Sequence, residues 1–331
     1  MILTVTLNAA IDRTVAVPNI RLGNRHRAVE SRTVAGGKGV YVARALRLLG
    51  KPVIATGFAG GATGARVIEL LAEEQILNDF IPIGGESRTN LAMIDPTSGM
   101  QTEINERGPE VGEAEVERLV ERLLYLAQGA SICVLAGSLP AGVDSDLYAR
   151  LITELHALGV VTVLDSDGEP MRLGLRGGPS VVAPNEGEAE EAVGHEFNDG
   201  DDLALGLRSL VEMGAREAIL TRPDGCVAIV GEAADRVSYE ARIEPLDPVA
   251  TVGSGDAFLA GYVAARYSGS APRECLAYGV ACGAESTQHF GAGTLDPREV
   301  ERLLPRVEVA ELGGVAAIES LSGGTVPSAG H

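Results

Sequence analysis

The chain has 331 residues, 45% of them hydrophobic, no tryptophan, and a formal charge of −19 from 27 Lys and Arg against 46 Asp and Glu. That length suits one large α/β domain or two ordinary ones, with ample apolar material for a core. So acidic a surface repels nucleic acid and anionic membranes, which argues against both as partners; an anionic ligand would need a few locally placed basic residues.

The start, MILTVTLNAAID, has no basic segment followed by a long apolar stretch and does not read as a signal peptide. Nor does any run of about 18 apolar residues occur, so a cytoplasmic protein is expected. In chain order, ILTVTLN (2–8) predicts a strand and GVYVARALRLLG (39–50) a helix ended by Gly50. VIATGFAG (53–60) then predicts a strand and GARVIELLAEE (64–74) a helix. Strands follow at 131–137, 160–165, 180–185 and 217–221, with a helix near 144–158. Strands that alternate with helices imply a parallel sheet covered on both faces, with ligands bound beyond the carboxyl ends of its strands. Asn8, Gly60, Gly137, Asp165 and Asn185 stand at or just past those ends.

Residues 12–34 and 86–107 break the alternation with short strand-like pieces that could form a small β lid or ordinary surface hairpins. One domain is expected over 1–310 and a small, polar, disordered tail over 311–331. Cys133, Cys226, Cys275 and Cys282 lack metal-ligand or scaffold spacing, which predicts buried free thiols.

TVGSGDAF (251–258) runs a Gly-Ser-Gly turn into Asp256 and an apolar helix pattern. Ser254 or Asp256 could simply cap the helix. Glycines on both sides of Ser254, however, let an anion approach the N–H groups at the helix start, where Asp256 could act as a base. AGGKG (35–39) departs from a P-loop because Gly39 follows Lys38, and GSGDAF departs from the dinucleotide pattern because Phe258 replaces the last glycine. Asn185 and Glu188 in APNEGE suit either a hydrated magnesium ion or a capped helix start. GSLPAG (137–142) offers Ser138, SRTNL (87–91) offers Arg88, and TRPDGC (221–226) reads as a β-turn. The histidines organise no site.

The order TLNAAID, AGGKG, GFAGGATG, GSLPAG, LDSDG, APNEGE, TVGSGDAF resembles the ribokinase/PfkB sugar kinases, in particular the branch of phosphofructokinases and tagatose-6-phosphate kinases, from Met1 to about Leu304. The resemblance implies a doubly wound, mainly parallel sheet with a small β lid, and transfer of the ATP γ-phosphate, with Mg2+, to a sugar hydroxyl. It makes Asp256 the general base and gives Gly253, Ser254 and Gly255 the role of stabilising the moving phosphate. Asp12 would bind sugar hydroxyls, with Gly36 and Gly37 against the sugar and Asn90 and Asn105 nearby. Lys38, Arg88 and Ser138 would grip a phosphate already on the substrate. Asn185 and Glu188 would orient magnesium waters, and Arg222, Gly225 and Gly291 would lie near the nucleotide.

Several positions depart from the family pattern: Ala9, Ala183, Arg222, Ser254 and, two residues after GKG, Tyr41 where relatives carry a sugar-contacting Asn. Arg222 could replace the lysine absent at position 183. The expected protein is a homodimeric kinase of fructose 1-phosphate, fructose 6-phosphate or tagatose 6-phosphate; the alternatives are a kinase of an unusual sugar and a non-catalytic sugar-phosphate-binding protein on the same scaffold.

Overall fold

A computed structural model describes residues 1–231 and 236–314. Strand β1 (Ile2–Thr6) is buried at every position, as a strand covered on both faces must be. It is followed by β2 (Ala10–Ala16), β3 (Glu30–Gly36), α1 (Lys38–Leu48), β4 (Val53–Gly60), α2 (Gly61–Glu73) and β5 (Leu77–Ile83). Next come β6 (Arg88–Ile94), β7 (Gln101–Ile104), α3 (Glu113–Ala127), β8 (Ile132–Ala136), α4 (Leu147–Ala157), β9 (Val161–Asp165) and α5 (Gly168–Gly174). β10 (Val181–Val182), α6 (Glu186–Val193), α7 (Gly200–Glu212), β11 (Glu217–Arg222), β12 (Gly225–Val230) and β13 (Val237–Arg242) lead to α8 (Ser254–Tyr267), α9 (Pro272–Ser286), α10 (Pro297–Leu303) and β14 (Glu308–Gly314).

Ten strands form one sheet in the order β14-β13-β12-β11-β10-β9-β8-β1-β4-β5. Pairing is parallel from β11 through to β5 and antiparallel from β11 to β14. Each face carries its own core. α1, α2, α8 and α9 supply residues such as Val40, Leu71, Phe258 and Leu276 to one face. The other takes Leu119, Leu151, Met171 and Leu207 from α3, α4, α5 and α7. α8 is buried without interruption from Asp256 to Ala265, so its apolar character all round follows from packing on every side. This is the doubly wound architecture that the alternation implies.

The two interrupting stretches build a separate sheet in the order β3-β2-β6-β7. β2 and β6 pair in parallel, so the stretches join into one surface instead of remaining two hairpins, and β2 begins at Ala10 and β3 ends at Gly36, beyond the expected limits. A second boundary also moves. Glu311–Gly314, assigned from sequence to a disordered tail, belong to β14 and pair with Val237–Tyr239 at the edge of the large sheet. The alternation in VEVAEL was hidden by the glycines that follow it. Residues 315–331, the remainder of that tail, lie outside the described residues. All four cysteines are buried free thiols. No helix among the described residues is long and apolar enough to cross a membrane.

Candidate active site

The Gly-Ser-Gly turn ends a loop and starts α8. Gly253 has φ 80°, and a Cβ there would lie 2.4 Å from Ala292 Cβ, so only glycine fits. The first N–H groups of a helix lack internal partners. That of Ser254 donates to the Thr251 carbonyl at 3.2 Å, which leaves those of Gly255 and Asp256 for an anion. A Cβ at Gly255 would meet nothing within 4 Å, so packing within the chain does not require that glycine. Asp256 is buried, and its Oδ1 has no hydrogen-bond partner. Burial first, then the negative charge of Asp165, push its pKa up to about 8, against the pull of the Lys38 ammonium.

Lys38 opens α1, where a cation opposes the helix dipole. The fold offsets this with carboxylates from two other elements: Nζ lies 2.9 Å from Asp165 Oδ1 at the end of β9 and 2.7 Å from Glu188 Oε1 on α6. Burial works against the Lys38 charge, but Asp165, Glu188 and Asp256 outweigh it and hold its pKa above the ordinary lysine value. Asp165 is held high by its own burial, less what Lys38 gives back. Lys38, expected to grip a substrate phosphate, is thus tied into a cluster of one ammonium and three carboxylates.

Two cavities meet at this cluster, and Lys38, Gly253 and Asp256 line both. The smaller, about 340 Å³, lies under the small sheet and is lined by Asp12, Gly37, Arg88, Asn90 and Asn105. Asp12 Oδ1 accepts from Asn90 Nδ2 at 2.7 Å; burial raises its pKa, while Asn90 and the Arg88 and Arg44 charges lower it. Gly36 leaves room for this carboxylate, since a Cβ there would sit 2.1 Å from Asp12 Oδ2. Arg88 donates from Nε to the Asn8 carbonyl and from NH1 to the Glu106 carbonyl. Tyr41 forms part of the same wall. Ser138 lies outside both cavities, beside Asn8 Nδ2 at 3.3 Å. Gly291, expected near a nucleotide, lines this smaller cavity, where the loop after α9 folds back under Arg32, which donates to the Phe290 carbonyl.

The larger cavity, about 770 Å³, contains Asn185, Glu188, Arg222, Gly225 and the Gly253–Asp256 turn, with an apolar end at Ile243, Leu246 and Val280. Asn185 and Glu188 form a reciprocal capping box at the start of α6. Gly225 closes the β11–β12 turn, where a Cβ would strike the Ala241 carbonyl at 1.9 Å. Arg222, expected to stand in for the missing lysine, is ringed by Glu186, Asp224 and Glu240 at 3.3, 3.6 and 3.5 Å, so its charge is already countered within the chain.

The model of the pfkB family carbohydrate kinases matches residues 3–299. The chain belongs to that family. The kinase is 32% identical to a 1-phosphofructokinase of Borreliella burgdorferi over 313 residues, covering 94% of this chain and 99% of the relative. It is 30% identical to a tagatose-6-phosphate kinase of Staphylococcus epidermidis over 324 residues, covering 94% and 100%. Phosphofructokinase-2 from Escherichia coli, solved in complex with substrates and products, superposes with a TM-score of 0.85 at 28% identity, covering 92% of this kinase and 98% of that chain.

Sequence reasoning placed the glycines, Asp12, Arg88 and Asp256 of the kinase around one centre but missed Asp165, whose only signal was its position at a strand's carboxyl end. It also passed over Arg44, one of two arginines in the apolar pattern of α1.

Proposed function

We propose that this kinase transfers the γ-phosphoryl group of ATP to a hydroxyl of a ketohexose that already carries one phosphate, with Asp256 as general base. The observation that carries the reading is the junction of two cavities at the unpartnered Oδ1 of Asp256, on the first turn of α8. ATP occupies the larger cavity, its base at the apolar end, and the sugar phosphate occupies the smaller. The relatives named 1-phosphofructokinase and tagatose-6-phosphate kinase support a ketohexose phosphate as acceptor. Arg88 supplies the local positive charge that such an acceptor needs on an acidic protein.

The acceptor hydroxyl gives its proton to Asp256 as its oxygen forms a bond to the γ-phosphorus. The bond to the β,γ-bridging oxygen breaks, and ADP leaves with that electron pair. The N–H groups of Gly255 and Asp256 meet the charge that develops on the moving phosphoryl group. No group of three or more ligating side chains among the described residues is placed to bind a metal directly, so the Asn185–Glu188 helix start fits a divalent cation only through its water shell. Asn185 and Glu188, both already engaged in the capping box, would hold Mg2+ through water. Bound there, the ion would offset the negative charge of the nucleotide phosphates.

Substitution of Gly255 by alanine separates this reading from a purely structural role for the turn. The new methyl has open space and helical backbone to accept it, so the melting temperature is expected to hold or rise. ADP release is expected to fall by at least ~10-fold, because the methyl occupies the path of the phosphoryl group. Wild-type turnover in a normally folded Gly255→Ala enzyme would sink the assignment of these N–H groups.

A further inference from the structure

Arg44 projects from α1 with only 6% of its surface exposed. Its NH2 donates to the Ala35 carbonyl at 2.8 Å and its NH1 to the Ala292 carbonyl at 3.0 Å. Nε and NH2 also grip Glu74, the residue that ends α2, at 2.5 and 2.9 Å, and the guanidinium lies 5.7 Å from the centre of the Tyr41 ring. The two carbonyls belong to the two segments that shape the site. Ala35 precedes Gly36, which packs against the Asp12 carboxylate, and Ala292 abuts Gly253 at the entry to the Asp256 turn. The same loop is pinned from the other side, since a Cβ at Gly293 would lie 2.4 Å from the Tyr41 carbonyl.

We propose that Arg44 is a positioning residue: one guanidinium ties the sugar-side glycine turn to the loop that backs the catalytic turn, and so sets the separation of acceptor and phosphoryl donor. The proposal rests on the phosphoryl-transfer reading above. Glu74 neutralises the buried charge and orients the fork, and the planar fork then spans both carbonyls at once. Lysine keeps the charge but has no second arm to hold both segments. Neither Arg44 nor Glu74 lines either cavity, so apart from the charge that Arg44 exerts on Asp12, which lysine would keep, their influence on the reaction passes through the backbone they hold. Misplacing the two segments costs alignment that matters most in the transition state, which lowers kcat more than it raises KM.

The test is steady-state kinetics of Arg44→Lys and Glu74→Gln with ATP and the ketohexose phosphate that the wild-type enzyme turns over, with circular dichroism to establish the folded fraction at the assay temperature. Arg44→Lys is expected to lose ~10-fold or more in kcat per folded molecule, with both KM values within about threefold of wild type. Glu74→Gln, which loosens the same guanidinium without emptying its site, is expected to lose about threefold in kcat. Amide exchange is expected to quicken at 35–37, 252–256 and 291–293 in both. A merely structural Arg44 would lower the melting temperature yet leave kcat per folded molecule unchanged, and that result overturns the proposal. If Arg44→Lys does not fold, a kcat within error of wild type in folded Glu74→Gln overturns it equally. Failure of the wild-type enzyme itself to phosphorylate any sugar phosphate would instead overturn the phosphoryl-transfer reading.

Discussion

Asp256→Asn is expected to lower kcat by at least ~10²-fold while making the folded protein more stable at alkaline pH. The activity loss follows from removal of the carboxylate on the first turn of α8, which lines both cavities. The stability gain follows from the environment of that carboxylate: it is buried, Oδ1 has no partner, and Asp165 and Glu188 add negative charge nearby. Its pKa, ordinarily 3.8, is pushed up to about 8. A carboxyl group whose pKa is higher in the folded state binds its proton more tightly there, so folding is favoured at low pH. Stability drains away as pH rises from about 4 to about 8, and the deficit is complete above that. Asparagine cannot ionise and does not incur this cost. Thermal melts are expected to differ little between the two proteins at about pH 3.5, below both pKa values, and to favour the variant by several degrees at pH 9. In the wild-type free enzyme, kcat/KM is expected to rise with pH along a limb near 8, as Asp256 loses its proton and becomes a base. Equal melting temperatures at pH 9, with activity retained, would show that Asp256 is neither strained by burial nor needed as a base.

Lys38→Met is expected to damage stability and activity together, in contrast to Asp256→Asn. The Asp165 side chain is 7% exposed and that of Glu188 16%, and Lys38 Nζ is the cation between them. Removing one partner of a buried pair strands the other, at a cost of roughly 3 kcal/mol when one side is as partly solvated as Lys38. The sign of the pH effect follows. Without the ammonium, Asp165 and Asp256 hold their protons to higher pH, so the variant's deficit is small near pH 5 and grows as pH rises. The acid limb of kcat/KM, lowered in the wild type by Lys38, is expected to move to higher pH. Rate at neutral pH is expected to fall by ~10²-fold, since fewer molecules carry an ionised base and the acceptor pocket loses a cation. Guanidinium unfolding at pH 5 and pH 8 with parallel rate profiles reads all of this. An unmoved limb would show that Lys38 exerts no field on Asp256.

How far the site was legible depended on whether a residue's role is local or set by register. Gly253, Gly255 and Asp256 lie within four positions, so the glycine–acid–helix pattern showed in the sequence itself. Strand ends were equally plain, because β-branched runs stop at Asn8, Gly137 and Asp165. The partners of Lys38 were not legible: Asp165 and Glu188 are 127 and 150 residues away, and only the side-by-side order of β10, β9, β8 and β1 brings them to α1. Arg222 looked like a free cation in TRPDGC, yet Glu240 reaches it from β13 and Glu186 from α6. Nor was the place of Gly291 legible, since nothing local fixes how the loop after α9 folds back onto the smaller cavity. The strand β14 went unseen because its short alternation runs straight into a pair of glycines.

The most direct test is ADP release with ATP and magnesium across a panel of free sugars, nucleosides, and ketohexoses phosphorylated at carbon 1 or carbon 6. Turnover confined to a phosphorylated ketohexose is the result expected from a cavity lined by both Arg88 and Asp256. Turnover of a free sugar or nucleoside at an equal or higher kcat/KM, or binding of a sugar phosphate without any ADP release, would contradict it.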